Sequence, residues 1–309
     1  MSNGIGTRRR RMEKAMTTER FPVVVGVDES PGAYRALGWA VDEARSRGVA
    51  IRLVYAYGSA LHYGIMPIYG DLPLPDLSDV RAFGIELLEN AAARVAELAP
   101  EVEVSTHAVD DDAARFLIEE SARASLIVLG SRRLASVGSV LLGSVSAAVS
   151  ARAQCPVVVL RGPAGMAAER AAVVIGVDGH PSSESVIEFG FDYASRRSVP
   201  LNAVLCWHPD LLTEMTWRPS PPAPARAEAW LSETLAVWRE KYPDVVVHSG
   251  VPREHPVSGL VAASAAQDLL VVGSRGRHAL AGTLLGSVSQ GVLHHANCPV
   301  AIVPSEQHT

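Results

Sequence analysis

The chain repeats itself. VVVGVDESP at Val23–Pro31 returns as VVIGVDGHP at Val173–Pro181, 150 positions later. LIVLGSR at Leu126–Arg132 returns as LLVVGSR at Leu269–Arg275, 143 positions later. LLGSVS at Leu141–Ser146 and CPVVVL at Cys155–Leu160 recur at the same offset of 143, as LLGSVS at Leu284–Ser289 and CPVAIV at Cys298–Val303. A tandem duplication limits the fold more than composition does, because one solution must serve both halves. The junction falls in RGPAGMAAERA, Arg161–Ala171, between two apolar runs. The expected domains are residues 21–161 and 172–305, with a linker at 162–171. Residues 1–20, polar and carrying the run Arg8–Arg11, read as a disordered leader.

Within each half, short β-branched runs alternate with longer amphipathic stretches. In the first half the runs at Val23–Val27, Ile51–Tyr57, Val102–Ala108, Leu126–Leu129 and Val157–Leu160 predict strands. Helices are predicted over Gly32–Ser46, Asp79–Glu97, Ala113–Ala122 and Ser144–Ala153. This alternation predicts an α/β fold, two doubly wound parallel-sheet domains with helices on both faces of each sheet. The Pro-rich connections Gly58–Pro75 and His208–Pro224 differ most between the halves and are expected at the surface as lids or contacts.

Composition excludes several functions. Of 28 basic residues only Lys14 and Lys241 are lysine, so neither domain body can carry a Walker-type phosphate loop or a Schiff-base lysine. The net charge of −5 argues against nucleic acid or anionic membrane as partner. With no apolar run of membrane-spanning length and no signal-peptide core, the expected location is the cytoplasm. Cys155, Cys206 and Cys298 form no C-x-x-C pair and read as buried small apolar residues. No Ser-His-Asp set, H-E-x-x-H or G-x-S-x-G is readable, so no catalytic residue is assigned.

In an open parallel sheet the ligand crevice lies outside the carboxyl ends of the strands. The loops GVDES and GVDGH follow strand one of each half, and GSRR and GSRG follow strand four. If those strands are neighbours, the two loops face each other across one crevice. Glycines there allow close backbone approach to a phosphate, turn N–H groups form an anion nest, and a helix beginning near Gly286 and Ser287 adds its positive end. Ser287 and Ser289 are read as further hydroxyl donors, with Mg²⁺ sharing the phosphate charge in place of lysine. Asp28 and Asp178 have two readings: ligand contact, or N-caps of the helices that follow.

The spacing Gly273-x2-Gly276-x9-Gly286-Ser287, paired with GVD near the domain start, resembles the ATP-binding pattern of the universal stress protein family. The resemblance covers nearly all of the chain after the leader, as two copies. It implies a Rossmann-like fold of strand order 3-2-1-4-5 in each half, pairing of domains through their last strands, and ATP as ligand. Carried over by position, it implies nucleotide contacts from Asp178, Cys206, Gly273, Gly276, Gly286, Ser287 and Val288. In the first half Asp28, Ala56, Gly130, Gly143, Ser144 and Val145 take matching roles. One position departs: Arg133 stands where the second half has Gly276. An arginine there either blocks the phosphate or reaches it with its guanidinium.

The resemblance further implies a nucleotide-dependent regulatory protein with a protein partner, its domains paired within one chain and a homodimer as a further expectation. Slow ATP hydrolysis and a structural dimerisation module are the alternatives. The pair His294–His295 reads as surface rather than metal-binding, His180 as either a turn residue or a ligand contact, and Asp110–Asp112 as acidic groups at a helix start. Trp207, Trp217 and Trp230 are expected to pack first and to form a surface second.

Overall fold

The computed structural model describes residues 21–58, 77–131, 142–161, 172–180, 183–207, 224–276 and 285–304. The leader, the linker, Arg133, Trp217 and most of both Pro-rich connections lie outside the described residues. In the first half β1 (Val23–Gly26), β2 (Ile51–Ala56), β3 (Val104–Val109), β4 (Leu126–Gly130) and β5 (Val157–Leu160) alternate with four helices. These are α1 (Pro31–Arg47), α2 (Leu77–Leu98), α3 (Ala113–Glu120) and α4 (Ser144–Arg152). The second half repeats the plan with β6 (Val173–Gly176), β7 (Leu201–Val204), β8 (Val247–Gly250), β9 (Leu269–Gly273) and β10 (Val300–Val303). Its helices are α5 (Glu184–Arg197), α6 (Pro224–Lys241), α7 (Pro256–Ala263) and α8 (Ser287–His295).

All ten strands form one sheet in the order β3-β2-β1-β4-β5-β10-β9-β6-β7-β8. Each half therefore has the order 3-2-1-4-5, parallel throughout. The halves meet where β5 and β10 pair antiparallel, Val158 opposite Ala301, so strand direction reverses at the junction. Alternation along the strands divides the core into two layers. Val23 and Val25 pack toward α1 and α2, whereas Val24 faces α3 and α4. Every residue of β5 and β10 is buried, the condition expected of strands covered on both faces. Among the described residues no helix is long and apolar enough to cross a membrane.

Helix boundaries follow local chemistry. Ser30 caps α1, its hydroxyl accepting from the Ala33 N–H at 3.2 Å, and Pro31 occupies the first turn. At the other end Gly48 adopts φ 64°, the left-handed cap that glycine favours. The duplicate position after α5 is Ser198, held at φ 54°. A side chain in this region carries a steric cost that glycine avoids.

Charged groups are also buried at the junction. Glu43, on α1, is fully buried, and Arg47 Nε, Arg196 Nη2 and Arg197 Nη2 reach its carboxylate at 2.6, 2.9 and 3.3 Å. Arg196 also donates to Ser46 Oγ at 2.9 Å, and Trp39 stacks on Tyr193 with centroids 6.3 Å apart. On the opposite face of the sheet Arg161, 5% exposed at the end of β5, donates to the carbonyls of His294 (2.7 Å) and Ala296 (3.2 Å). A first-half cation thus caps the last turn of α8, where helix carbonyls lack intrahelical partners. Burial pushes the Arg161 guanidinium down to about 10.

Replacing Ser198 by glycine relieves the left-handed backbone and is expected to stabilise the chain by about 1 kcal/mol in urea denaturation. Burial alone raises the Glu43 carboxyl, but Arg47 and Arg196 override it and hold it below its ordinary 4.5. Its stabilisation is therefore complete above pH 4.5 and is lost as the pH falls through the lower folded value. Thermal melts from about pH 7 to about pH 3 are expected to fall less steeply in Glu43→Gln than in the wild type.

Candidate functional site

Each half places its two repeated loops at the carboxyl ends of adjacent strands, β1 beside β4 and β6 beside β9. This is the topological switch point, where helices leave for opposite faces of the sheet. In the second half the Asp178 carboxylate is positioned by local bonds. Its Oδ1 accepts from the His180 N–H at 3.0 Å and from the buried Ser183 hydroxyl at 2.7 Å. Gly179 makes the turn, at φ 77°. Across the crevice a Cβ added to Gly276 would stand 3.3 Å from Asp178 Oδ2, so the aspartate and the glycine loop face each other.

The glycine loop leaves β9 and returns to it. Gly286 N–H donates to the Ser274 carbonyl at 2.8 Å, which brings the start of α8 back to the strand end. Gly286 is the N-cap of α8 and Gly143 the N-cap of α4, and neither end has a side-chain cap. The first-turn N–H groups of both helices are thereby presented at the crevice, with Ser287 and Ser144 exposed beside them. Ser289 does not serve as the expected donor to a ligand. It is 3% exposed, and its hydroxyl donates to the Gly273 carbonyl at 2.5 Å. Ser146 makes the same bond to Gly130 at 3.3 Å, so this serine fastens the helix start to the strand in both halves. Val145 and Val288 pack from the first turns against the apolar layer.

The first half differs in detail. Asp28 Oδ1 accepts from both the N–H and the hydroxyl of Ser30, two residues on. Asp28 is not the helix cap, since Ser30 takes that role, and in the second half Asp178 accepts from the Ser183 hydroxyl. Gly130 and Gly32 sit backbone to backbone: a Cβ on Gly130 would lie 2.4 Å from the Gly32 carbonyl carbon, and one on Gly32 would lie 2.6 Å from the Ser131 oxygen. A shallow recess beside Asp28 is lined by Val27, Ala33, Tyr34, Leu37, Leu87 and Ala91, and Ala56 is not part of its wall.

Cys206 corrects one expectation. Cys155 and Cys298 are buried as predicted, but Cys206 is only half-buried, just past the end of β7. Its thiol turns toward α7, where a Cβ added to Gly259 would fall 2.7 Å from the sulfur. Burial raises the three thiols to about 12, 11 and 11 for Cys155, Cys206 and Cys298, well away from a reactive thiolate. Asp112 caps α3 by accepting from Arg115 N–H at 2.9 Å, and Asp111 bonds Arg115, so the acidic run supports a helix start. His180, His294 and His295 are exposed. Trp230 packs at the edge of the core, and Trp207 lies under the Arg253 guanidinium at 5.2 Å. Among the described residues no group of three or more His, Cys, Asp or Glu gathers as a metal site.

Sequence reasoning passed over Ser30 and Ser183, the hydroxyls that orient the two aspartates. The signal was present as D-x-S after β1 and D-x4-S after β6. The glycines make a sharper test of the geometry. Gly130→Ala meets immovable backbone and is expected to destabilise the chain by about 2–3 kcal/mol. Gly143→Ala meets nothing nearer than 3.8 Å and is expected to stay within about 1 kcal/mol of the wild type, both read from urea midpoints.

Comparison with known proteins places this architecture. The model of the Universal stress protein family matches twice, over residues 20–161 and 170–304. A universal stress protein of Mycobacterium tuberculosis H37Rv is 35% identical over 287 residues, covering 91% of this chain and 96% of its own. One from Mycolicibacterium smegmatis is 34% identical over 289 residues, covering 92% and 97%. The crystal structure of a universal stress protein from Archaeoglobus fulgidus superposes with a TM-score of 0.64 at 18% identity, covering 92% of this chain and 98% of that one, a likeness of fold.

Proposed function

Because the chain belongs to the universal stress protein family, we propose that it is an ATP-binding, nucleotide-dependent regulatory protein of the stress response whose second half holds the principal site. The carrying observation is the second crevice. There the Asp178 carboxylate opposes Gly276, where an added Cβ would stand 3.3 Å from Oδ2, and the uncapped start of α8 follows in the same glycine loop. Backbone N–H groups at Ser287 and Val288 would receive phosphate, helped by the dipole of α8, with Gly286 turning the chain into the helix. Gly273 and Gly276 would let ribose and phosphates lie against the backbone, and the backbone at Cys206, just past β7, would border the adenine.

Mg²⁺ would travel with the phosphates and offset their charge where no lysine does so, and Asp178 is the acidic side chain placed to meet it. The first half would repeat the arrangement through Asp28, Ala56, Gly130, Gly143, Ser144 and Val145, with Arg133 altering it. In this reading the two domains span residues 21–161 and 172–305, joined by 162–171. The protein works in the cytoplasm and passes nucleotide occupancy to a protein partner by shifting the populations of the loops around the site.

The test is stoichiometry. The purified protein is denatured before and after incubation with Mg-ATP, and released nucleotide is identified by chromatography. About one ATP per chain is expected, with Gly276→Arg abolishing it and Asp178→Ala weakening it roughly tenfold or more. Two per chain would make Arg133 a working substitute for glycine. None, with the fold intact, would end the proposal.

A further inference from the structure

The helices that meet across the junction, α1 and α5, are copies of each other, yet the seam between them is not symmetric. The 150-residue offset aligns Trp39 with Phe189, Asp42 with Asp192, Glu43 with Tyr193, Ser46 with Arg196 and Arg47 with Arg197. Most contacts across the seam join a position in one half to a different position of the repeat in the other. Trp39 stacks on Tyr193, Arg47 lies over the Phe189 ring, and Glu43 receives both Arg196 and Arg197. The bond from Arg196 to Ser46 instead joins a position to its own duplicate, as happens where a twofold axis passes. Crossed contacts around one self-matched pair are those of a pseudo-twofold interface.

Under that geometry a like-with-like pairing can be written down from the same sequence. Two first halves would set each Glu43 against Ser46 and Arg47 of the other copy. Two second halves would set Arg196 and Arg197 against Tyr193, with no carboxylate at the Glu43 position. Charge separates the three cases. Asp42, Glu43, Ser46 and Arg47 carry a net charge of −1, whereas Asp192, Tyr193, Arg196 and Arg197 carry +1. The observed pairing is neutral, and the like pairings leave −2 or +2 at the seam. The second-half excess falls on Arg196 and Arg197, whose side-chain exposures are only 18% and 25%, so solvent and salt screen it poorly, whereas in the first half Glu43 and Arg47 cancel and the excess falls on exposed Asp42.

We propose that the α1–α5 seam is a recognition surface that selects unlike halves: the buried arginine pair that ends α5 accepts a partner helix that carries the Glu43 carboxylate and rejects a second α5, which has Tyr193 in its place. The β5 and β10 edges alone do not discriminate, since VVVL and VAIV are near copies that could pair in any combination. Discrimination falls to the seam. A repulsive term against the wrong partner is the usual means by which duplicated surfaces stay selective.

The experiment uses the full chain in two variants. Glu43→Gln preserves shape and removes the carboxylate by which the arginine pair tells an unlike half from a like one. It is expected to lower the thermal midpoint by about ten degrees and to give a concentration-dependent rise in mass by sedimentation beyond that of the wild type. The second variant exchanges polarity without changing the net charge of the seam, combining Glu43→Arg with Arg196→Glu. It is expected to melt within a few degrees of the wild type and to keep the wild-type mass, while Glu43→Arg alone does neither. A Glu43→Gln chain with wild-type midpoint and mass, or an exchanged chain no more stable than Glu43→Arg, would overturn the proposal.

Discussion

Two apolar strand edges have to disappear. At the end of each half the chain lays down a strand with no polar side chain, VVVL in β5 and VAIV in β10, and each would otherwise be the bare edge of a five-stranded sheet. An exposed edge of this kind invites pairing with whatever strand comes near. Antiparallel pairing of β5 with β10 uses both edges at once and leaves β3 and β8, with exposed polar side chains such as Thr106 and His248, at the margins. The rest of the architecture depends on this closure. It brings α1 against α5 on one face, and it sets Arg161 under the end of α8 on the other.

The buried charges at the junction are better understood as matching devices than as sources of stability. Desolvating a carboxylate and several guanidinium groups costs much of what their attraction returns, so an apolar seam of equal volume could be as stable. What the ionic seam adds is selectivity against a wrong partner and a dependence on pH. Arg161 shows the same economy, because one cation from the first half meets two carbonyls at the end of a second-half helix, where backbone acceptors need a donor.

Much of the fold was legible because buried parallel strands are written as unbroken apolar runs and the duplication wrote each of them twice. Strand four was expected at Leu126–Leu129 and runs to Gly130, and the helix expected at Ser144–Ala153 ends at Arg152. The crevice was legible through its glycines and aspartates, since close backbone approach leaves a mark in residue type. Three features left no such mark. Glu43 looks like any solvated residue of an amphipathic helix, because its burial depends on a helix 150 residues away. Arg161 reads as the start of a linker, because nothing local announces the α8 carbonyls it will meet. Ser289 reads as a ligand donor, because a hydroxyl can rotate and only packing decides that it bonds Gly273.

The reversal of strand direction between β5 and β10 also sets how the molecule can be read from outside. The carboxyl ends of the first five strands point one way and those of the second five point the other, so the two crevices open at opposite ends of the sheet. They are offset sideways by four strand spacings as well, about 19 Å. A globular partner with an ordinary footprint of about 800 Å² covers one mouth and leaves the other in solvent. The duplication thus gives one chain two separate addresses, so that a reader at one end is blind to what is bound at the other unless the message passes through the shared sheet and the seam at Glu43.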